Sequence, residues 1–266
     1  MFICPDYITF RRRALAELRP NLAKRKLNEG KVVSVAMGPI TGDLIEIFSQ
    51  LDFDAIWLEA EHGPVDFADI PDLTRACDVW GKTSIVRVNQ VNTGDIYRTL
   101  DSGAMGICVP HVNTASEARA VVDAAKFGPI GHRGMYTSRQ GIGVNEYVKK
   151  ANDETLISII IEDIEAIKNL SEILETDHID AFFVAPGDLA QSMGYTGEIN
   201  HPEVQAVRDK AIKDIVKAGR VAGTMVDDSN LEHYIDIGAR FLSVAWTPWL
   251  LSGAQSYLNK VNATQS

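Results

Sequence analysis

Four short apolar runs each stop at a polar side chain that can do chemistry. Ala55–Leu58 runs into Glu59-Ala60-Glu61-His62-Gly63, and Ile85-Val86 into Arg87. Ile159-Ile160-Ile161 stops at Glu162, and Ala181–Val184 leads to Ala185-Pro186-Gly187-Asp188. Glu162 and Asp188 fall at equivalent points of neighbouring runs. Facing one cavity they would repel, unless a shared proton, a basic partner or a cation stands between them. Oxygen-only donors suit a hard ion such as Mg²⁺ or Mn²⁺, and two carboxylates leave coordination positions open for substrate and water. The competing reading has Glu162 capping a helix or pairing with a surface lysine.

An imidazole titrates near neutral pH, so His62, beside two carboxylates, suits proton transfer; a structural histidine fixing its loop is the alternative. Arg87 at the end of an apolar strand must meet an anion, either Glu59 or Glu61 or a substrate oxygen. Gly187 lets backbone N–H groups approach a bound carboxylate closely. Among the other histidines, His178 and His233 read as solvent-facing and His201 as a cap on the helix that starts at Pro202. His111 and His132 each have one position from which to line a mouth, and neither has more than that.

The elements that must position these residues alternate in type. Strands are expected at Val32–Met37, Ala55–Glu59, Thr83–Arg87, Met105–Val109, Leu156–Ile161, Ala181–Val184, Val221–Thr224 and Phe241–Val244. Segments of helical period stand between them, such as Ala115–Lys126, Ile164–Leu174 and Pro202–Ala218. Near-continuous apolar strands are the mark of parallel strands buried on both faces. Eight strand–helix units favour a closed α/β (β/α)8 TIM barrel over an open doubly wound sheet. No G-x-G-x-x-G follows the first strand, which weakens a dinucleotide-binding reading. Two long segments interrupt the beat, Phe127–Glu154 and Pro186–Asn200. Both are expected to join strand carboxyl ends to helices, the rim where barrel active sites form.

The 266 residues suit one such barrel, with 45% hydrophobic and 23% charged residues as in ordinary soluble proteins. Residues 1–29 read as an N-terminal extension and 30–266 as the barrel domain. A formal net charge of −10 argues against nucleic acid or an anionic membrane as partner, and the basic run Arg11–Arg13 reads as a solvated helix face. Cys4, Cys77 and Cys108 are scattered, with neither metal spacing nor a disulfide framework; Cys77 and Cys108 read as buried, inert thiols. The N-terminus does not have the charge order of a signal peptide, and the expected compartment is the cytoplasm.

Taken together, these residues resemble the HpcH/HpaI aldolases, metal-dependent class II pyruvate aldolases. The resemblance runs from about Gly30 to the C-terminus. It rests on Glu61-His62-Gly63-Pro64, Val86-Arg87-Val88, Val109-Pro110, Gly131-His132-Arg133-Gly134, Ile161-Glu162-Asp163 and Ala185-Pro186-Gly187-Asp188-Leu189. It implies that Glu162 and Asp188 hold a divalent cation, Mg²⁺ or Mn²⁺ or else Co²⁺, chelated in turn by pyruvate. It further implies that His62, oriented by the residue at 59, transfers protons and that Arg87 steadies an enolate oxygen. The amides of Gly187 and Asp188 would hold the substrate carboxylate. The reaction implied is cleavage or formation of a 4-hydroxy-2-oxo acid from a 2-oxo acid and an aldehyde. Most members carry Asp at the position of Glu59 and Gln at that of Ile160, so this chain departs from the pattern twice.

The family's last helix is exchanged between subunits, giving hexamers or trimers. Here Trp246, Leu250, Ala254, Tyr257, Leu258 and Val261 form one apolar stripe while Trp249 and Leu251 lie off it, which independently favours burial by a second subunit. Two other functions fit the same residues: a citrate-lyase-like lyase of acyl-CoA esters, for which no basic CoA pocket is evident, and a barrel that binds oxo acids without turnover.

Overall fold

The computed structural model describes residues 16–264; Cys4 and Arg11–Arg13 lie outside them. Eight strands form a closed all-parallel barrel in sequence order. They are β1 Val33–Met37, β2 Ala55–Glu59, β3 Thr83–Arg87 and β4 Gly106–Val109, then β5 Leu156–Ile161, β6 Ala181–Val184, β7 Ala222–Val226 and β8 Phe241–Ala245. The first helices are α1 Leu22–Asn28, α2 Gly42–Phe48, α3 Ile70–Val79, α4 Thr93–Asp101, α5 Ala115–Ala125 and α6 Tyr147–Glu154. The remainder are α7 Ile164–Lys168, α8 Leu170–Leu174, α9 Pro186–Ser192, α10 Pro202–Lys217, α11 Leu231–Asp236 and α12 Thr247–Ala263.

Local chemistry sets many of these boundaries. Thr41, Asn92 and Thr114 cap α2, α4 and α5 by accepting from the backbone N–H three residues on, and Glu117 completes a reciprocal box with Thr114. The single helix expected over Ile164–Leu174 is instead α7 and α8. Asn169 leaves helical geometry between them, and its side-chain amide donates to Asn113 O at 2.9 Å.

Inside the barrel the pleat alternates, so residues two apart share a face. Val33, Val35, Ala55, Trp57, Ile85, Cys108, Leu156, Ile160, Phe183 and Phe241 form the interior cluster. The Trp57 and Phe183 ring centroids lie 5.5 Å apart, and those of Phe183 and Phe241 6.1 Å. Those rings leave no room on β7, where a Cβ on Gly223 would meet Phe241 O at 2.8 Å. The helices bury a larger outer cluster against the other face of the strands.

At the strands' amino ends α1 closes the barrel. Ala23 and Leu27 join the interior cluster, and the fully buried Asn21 side chain donates to Met105 O and Glu154 O, each at 3.0 Å. Residues 21–28 thus do work that the sequence alone did not announce.

The long segment Phe127–Glu154 corrects an expectation. It joins α5 to β5, so it lies at the amino-terminal face, opposite the mouth. Arg139 pairs with Asp78 beside the end of α3 at 2.5 Å, Arg133 with Asp101 at the end of α4 at 2.6 Å, and Gln140 donates to Gly103 O. His132 therefore lines no mouth. Its ring faces Asp123 on α5 at 2.5 Å and is otherwise in solvent. Pro186–Asn200 does follow a strand carboxyl end, and it opens with α9 rather than a loop.

No helix among the described residues is long and apolar enough to cross a membrane. Cys77 and Cys108 are free and buried. Burial, the dominant cause, pushes the Cys77 thiol up to about 12 and the Cys108 thiol further, so both stay protonated, as expected of inert thiols. α12 buries none of its residues against this chain; Leu251 is 64% and Tyr257 67% exposed.

Candidate active site

The interior alternation runs on past the last apolar layer and delivers the polar one. Trp57 is followed two residues later by Glu59, Ile85 by Arg87, and Ile160 by Glu162. Three of the four strand-end residues therefore share the interior face by parity, and Ile160 fills the space directly beneath them.

Glu59 and Arg87 are register partners on β2 and β3. Arg87 Nε donates to Glu59 Oε2 at 2.7 Å, and its Nη1 lies 3.0 Å from Glu61 Oε2. The second contact is off the bonding direction, so Glu61 Oε2 remains without a hydrogen bond although it is buried. Glu59 also accepts from Trp57 Nε1 at 3.0 Å and from the backbone N–H groups of Glu61 and His62 at 2.9 and 3.0 Å. Burial alone would raise the Glu59 pKa. The Arg87 charge and these donors outweigh it and hold the group below the usual carboxylate range. Glu59 thus fixes the turn that carries His62 and contacts its main chain rather than its ring. A Cβ on Gly63 would meet Glu59 O at 2.6 Å, so the close turn requires glycine there.

The His62 ring is 63% exposed at the rim, with Nε2 3.7 Å from Glu61 Oε2. Arg87 is held by protein carboxylates on Nε and Nη1, which leaves its other terminal nitrogen for a ligand.

Glu162 is 1% exposed. Its Oε1 accepts from the His111 backbone N–H at 2.8 Å, and its Oε2 has no hydrogen-bond partner. No lysine or arginine engages it among the described residues. Burial is the main reason its pKa is pushed up to about 7. The His111 amide opposes that rise, while the negative charges of Asp188 and Glu61 add to it. Asp188 stands in the first turn of α9, near enough for its negative charge to be one of the causes that raise the Glu162 pKa. The Asp188 side chain makes no ion pair with a lysine, arginine or histidine among the described residues.

His111, which in the sequence has a single position from which to line the mouth, stands in the middle of this cluster. Its Nδ1 is 2.9 Å from Asp163 Oδ2 and 3.5 Å from Glu162 Oε1, and its Nε2 is 3.7 Å from Glu61 Oε1. Burial acts to lower its pKa. The Asp163 bond and the surrounding carboxylates win and raise it. Glu61 is the second residue passed over as an individual site; it shares the interior parity of Glu59, and that signal was available in the sequence. The remaining histidines lie elsewhere, His233 against Asp209 and His201 accepting from Glu203 N at the start of α10.

A family model for HpcH/HpaI aldolase/citrate lyase matches residues 40–252. The chain belongs to that family. It is 34% identical over 234 residues to the 2-keto-3-deoxy-L-rhamnonate aldolase of Klebsiella pneumoniae, covering 85% of this chain and 87% of that protein. It is 31% identical to the 4-hydroxy-2-oxo-heptane-1,7-dioate aldolase of Shigella sonnei, covering 90% and 93%. The crystal structure of an HpcH/HpaI aldolase from Desulfitobacterium hafniense superposes with a TM-score of 0.82 at 28% identity, covering 90% of this chain and 95% of that one.

Metal-dependent members of the HpcH/HpaI family need a cation site, and the donor chemistry here fits one. One buried carboxylate oxygen at the mouth, Glu162 Oε2, has neither a hydrogen-bond partner nor a lysine or arginine beside it among the described residues, whereas Glu61 Oε2 has Arg87 at 3.0 Å. Leaving a buried anion in that condition is costly unless a positive charge meets it. Among the described residues no group of three or more His, Cys, Asp or Glu side chains forms a ready-made metal cage. Two carboxylates and an open side are the arrangement that leaves room for substrate oxygens.

Proposed function

We propose that this aldolase cleaves and forms 4-hydroxy-2-oxo acids, with Glu162 and Asp188 holding a divalent cation, Mg²⁺ or Mn²⁺ or else Co²⁺. The observation that carries the reading is the buried, unpartnered oxygen of Glu162 beside the charge of Asp188. A hard cation there would polarise the oxo and carboxylate oxygens of a 2-oxo acid and offset the negative charge that grows as the carbon–carbon bond breaks.

The chain's own residues supply the rest. His62, exposed at the rim, takes the proton from the C4 hydroxyl. The C3–C4 bond breaks, an aldehyde leaves, and the electron pair stays on the three-carbon enolate. Arg87 donates its free nitrogen to the enolate oxygen, in a geometry that Glu59 and Glu61 lock before substrate arrives. A proton added at C3 then gives pyruvate. The amides of Gly187 and Asp188 hold the substrate carboxylate.

A cavity of about 510 Å³ over the ends of β7 and β8 suits the aldehyde half. Pro186, the residue that opens α9, forms part of its wall, as do Met225, Asp227, Asp228, Asn230 and Trp249. The open apolar face of α12 suits burial by further copies of the chain in a hexamer or trimer, and a monomeric mass by light scattering would remove that part. Buried, reduced thiols agree with a cytoplasmic enzyme.

The test is release of pyruvate from 4-hydroxy-2-oxo acids by the full chain before and after stripping with EDTA. We expect activity to vanish and to return with Mg²⁺ or Mn²⁺. Full activity in the stripped protein, or in Asp188→Ala, would overturn the reading.

A further inference from the structure

His111 is the non-glycine residue at the mouth with a left-handed backbone, at φ 52°. A residue with a Cβ adopts that conformation at a cost, and such strain persists only where surrounding structure imposes it. Here the bracing is visible on both sides. Pro110 precedes it at the end of β4, and Val112 after it is fully buried. The N–H groups of Asn113 and Thr114 both donate to Glu117 Oε2, at 2.8 and 2.9 Å.

The turn has a geometric consequence. Along β4 the interior face passes through Gly106 and Cys108 to residue 110, so residue 111 in an extended chain would face away from the mouth. The left-handed step reverses that. It points the His111 N–H at Glu162 Oε1 and swings the ring between Asp163 and Glu61.

Asp163 gives a second, independent observation. It occupies the N-cap of α7, where an aspartate ordinarily accepts from the helix's first N–H groups. It makes no such bond. Its carboxylate meets His111 Nδ1 at 2.9 Å instead, and Ser192 Oγ satisfies the Ile164 N–H.

We propose that His111 is a positioning residue: its Asp163-anchored ring holds the left-handed turn whose amide fixes the Glu162 carboxylate for cation binding. This rests on the proposed function, because it takes Glu162 to be a cation ligand. His111 acts through Glu162, so its loss weakens cation binding and leaves the chemical step intact once the site is filled.

The experiment is Mn²⁺ titration calorimetry on the metal-stripped full chain without substrate, followed by steady-state kinetics. His111→Ala is expected to bind Mn²⁺ about 10–100-fold more weakly, the usual effect of losing a residue that orients a ligand. His111→Asn is expected to stay within about threefold of the parent, because Asn tolerates the left-handed region and its amide can donate to Asp163. Saturating Mn²⁺ restores kcat in His111→Ala. Parent-like affinity in His111→Ala overturns the proposal. So does affinity in His111→Asn as weak as in the alanine variant, which would make the imidazole itself a donor, and so does a kcat that stays low at saturating Mn²⁺.

Should the alanine variant fail to fold, Asp163→Asn carries the same test: weakened Mn²⁺ binding is expected, and parent-like binding overturns the proposal. A parent that binds no divalent cation overturns the proposed function and this inference together. A parent that binds while His111→Ala binds equally well overturns this inference alone.

Discussion

Glu59 and Arg87 are paired in register on adjacent strands, and that pairing places the guanidinium 2.7 Å from one carboxylate and 3.0 Å from a second, Glu61. The fork therefore arrives at the mouth already oriented. Lysine has one point charge and cannot span both acids while offering a donor to substrate. In Arg87→Lys we expect a folded enzyme whose kcat falls by about 10²–10³-fold, the scale for losing one preorganised donor. Arg87→Met leaves the Glu59–Glu61 pair uncompensated and should lose about 3–5 kcal/mol of stability as well. Steady-state kinetics and denaturant unfolding of both variants check this. An unimpaired Arg87→Lys would show that Arg87 only closes the fold.

Glu162 sets stability against function. Its buried carboxylate has one oxygen without a partner, and burial is the chief reason the charged form is disfavoured. Glu162→Gln keeps the shape and removes that charge. We expect the metal-free variant at pH 8 to melt higher than the metal-free parent, by roughly 2–4 °C for each kcal/mol recovered in a chain of this size. The same variant should lose Mn²⁺ binding. A variant less stable than the parent would mean that the charge is satisfied by something other than a cation.

Much of this site was legible in the sequence, because period two carries inward-facing residues from the apolar layers straight into the polar one. Glu59, Arg87 and Glu162 follow Trp57, Ile85 and Ile160 by that rule. The strands were legible for a related reason: a strand buried on both faces must be apolar throughout, and Leu156–Ile161 and Ala181–Val184 fall where expected. His111 was hidden because a left-handed turn reverses the parity that alternation predicts, and nothing in Pro110-His111-Val112 encodes that reversal. Phe127–Glu154 was misplaced for another reason. Its length and glycines suggested a functional loop, but only its position between helix and strand determines the face, and that position puts it at the amino ends. The closure by Asn21 and α1 depends on contacts more than 80 residues away in sequence, to which local pattern is blind.

Lys126 gives a pH prediction far from the mouth. Its ammonium is buried beneath β5, donating to Asn152 O at 2.6 Å and Thr155 O at 2.8 Å, and Lys24 donates to the same Thr155 carbonyl. Burial first, and the Lys24 charge second, lower its pKa to about 7, against about 10.4 in an unfolded chain. Between those values the unfolded chain binds more protons than the native one, so this group makes stability rise with pH from about 7 to 10 and level off below 7. The buried thiols act oppositely above about 8.5, where an unfolded cysteine ionises and the native ones do not. The informative quantity is therefore the difference between parent and Lys126→Met. Urea unfolding at pH 7, 8, 9 and 10 should show the parent gaining on the variant as pH rises. Parallel curves would mean that Lys126 stays protonated in the native protein.

Asp227 and Asp228 line the cavity over β7 and β8, and the cation in its wall is Arg208. That guanidinium is 3% exposed and already committed. Its Nε and Nη2 donate to Thr224 Oγ1 at 3.0 and 2.7 Å, it also bonds Met225 O, and it lies 4.0 Å from the Tyr234 ring centroid. An aldehyde with a distal carboxylate would enter beside two acids without a free counter-charge, and like charges brought together in a confined site repel. A neutral hydroxyaldehyde meets Asp227, Asp228 and Asn230 as hydrogen-bond partners. In the aldol direction with pyruvate, we expect kcat/KM for glycolaldehyde or lactaldehyde to exceed that for succinic semialdehyde by at least about tenfold, equivalent to roughly 1.4 kcal/mol. Asp228→Asn should narrow that ratio by favouring the anionic aldehyde. If the parent prefers succinic semialdehyde, the distal carboxylate has a cationic partner outside this cavity, and the aldehyde lies elsewhere on the rim.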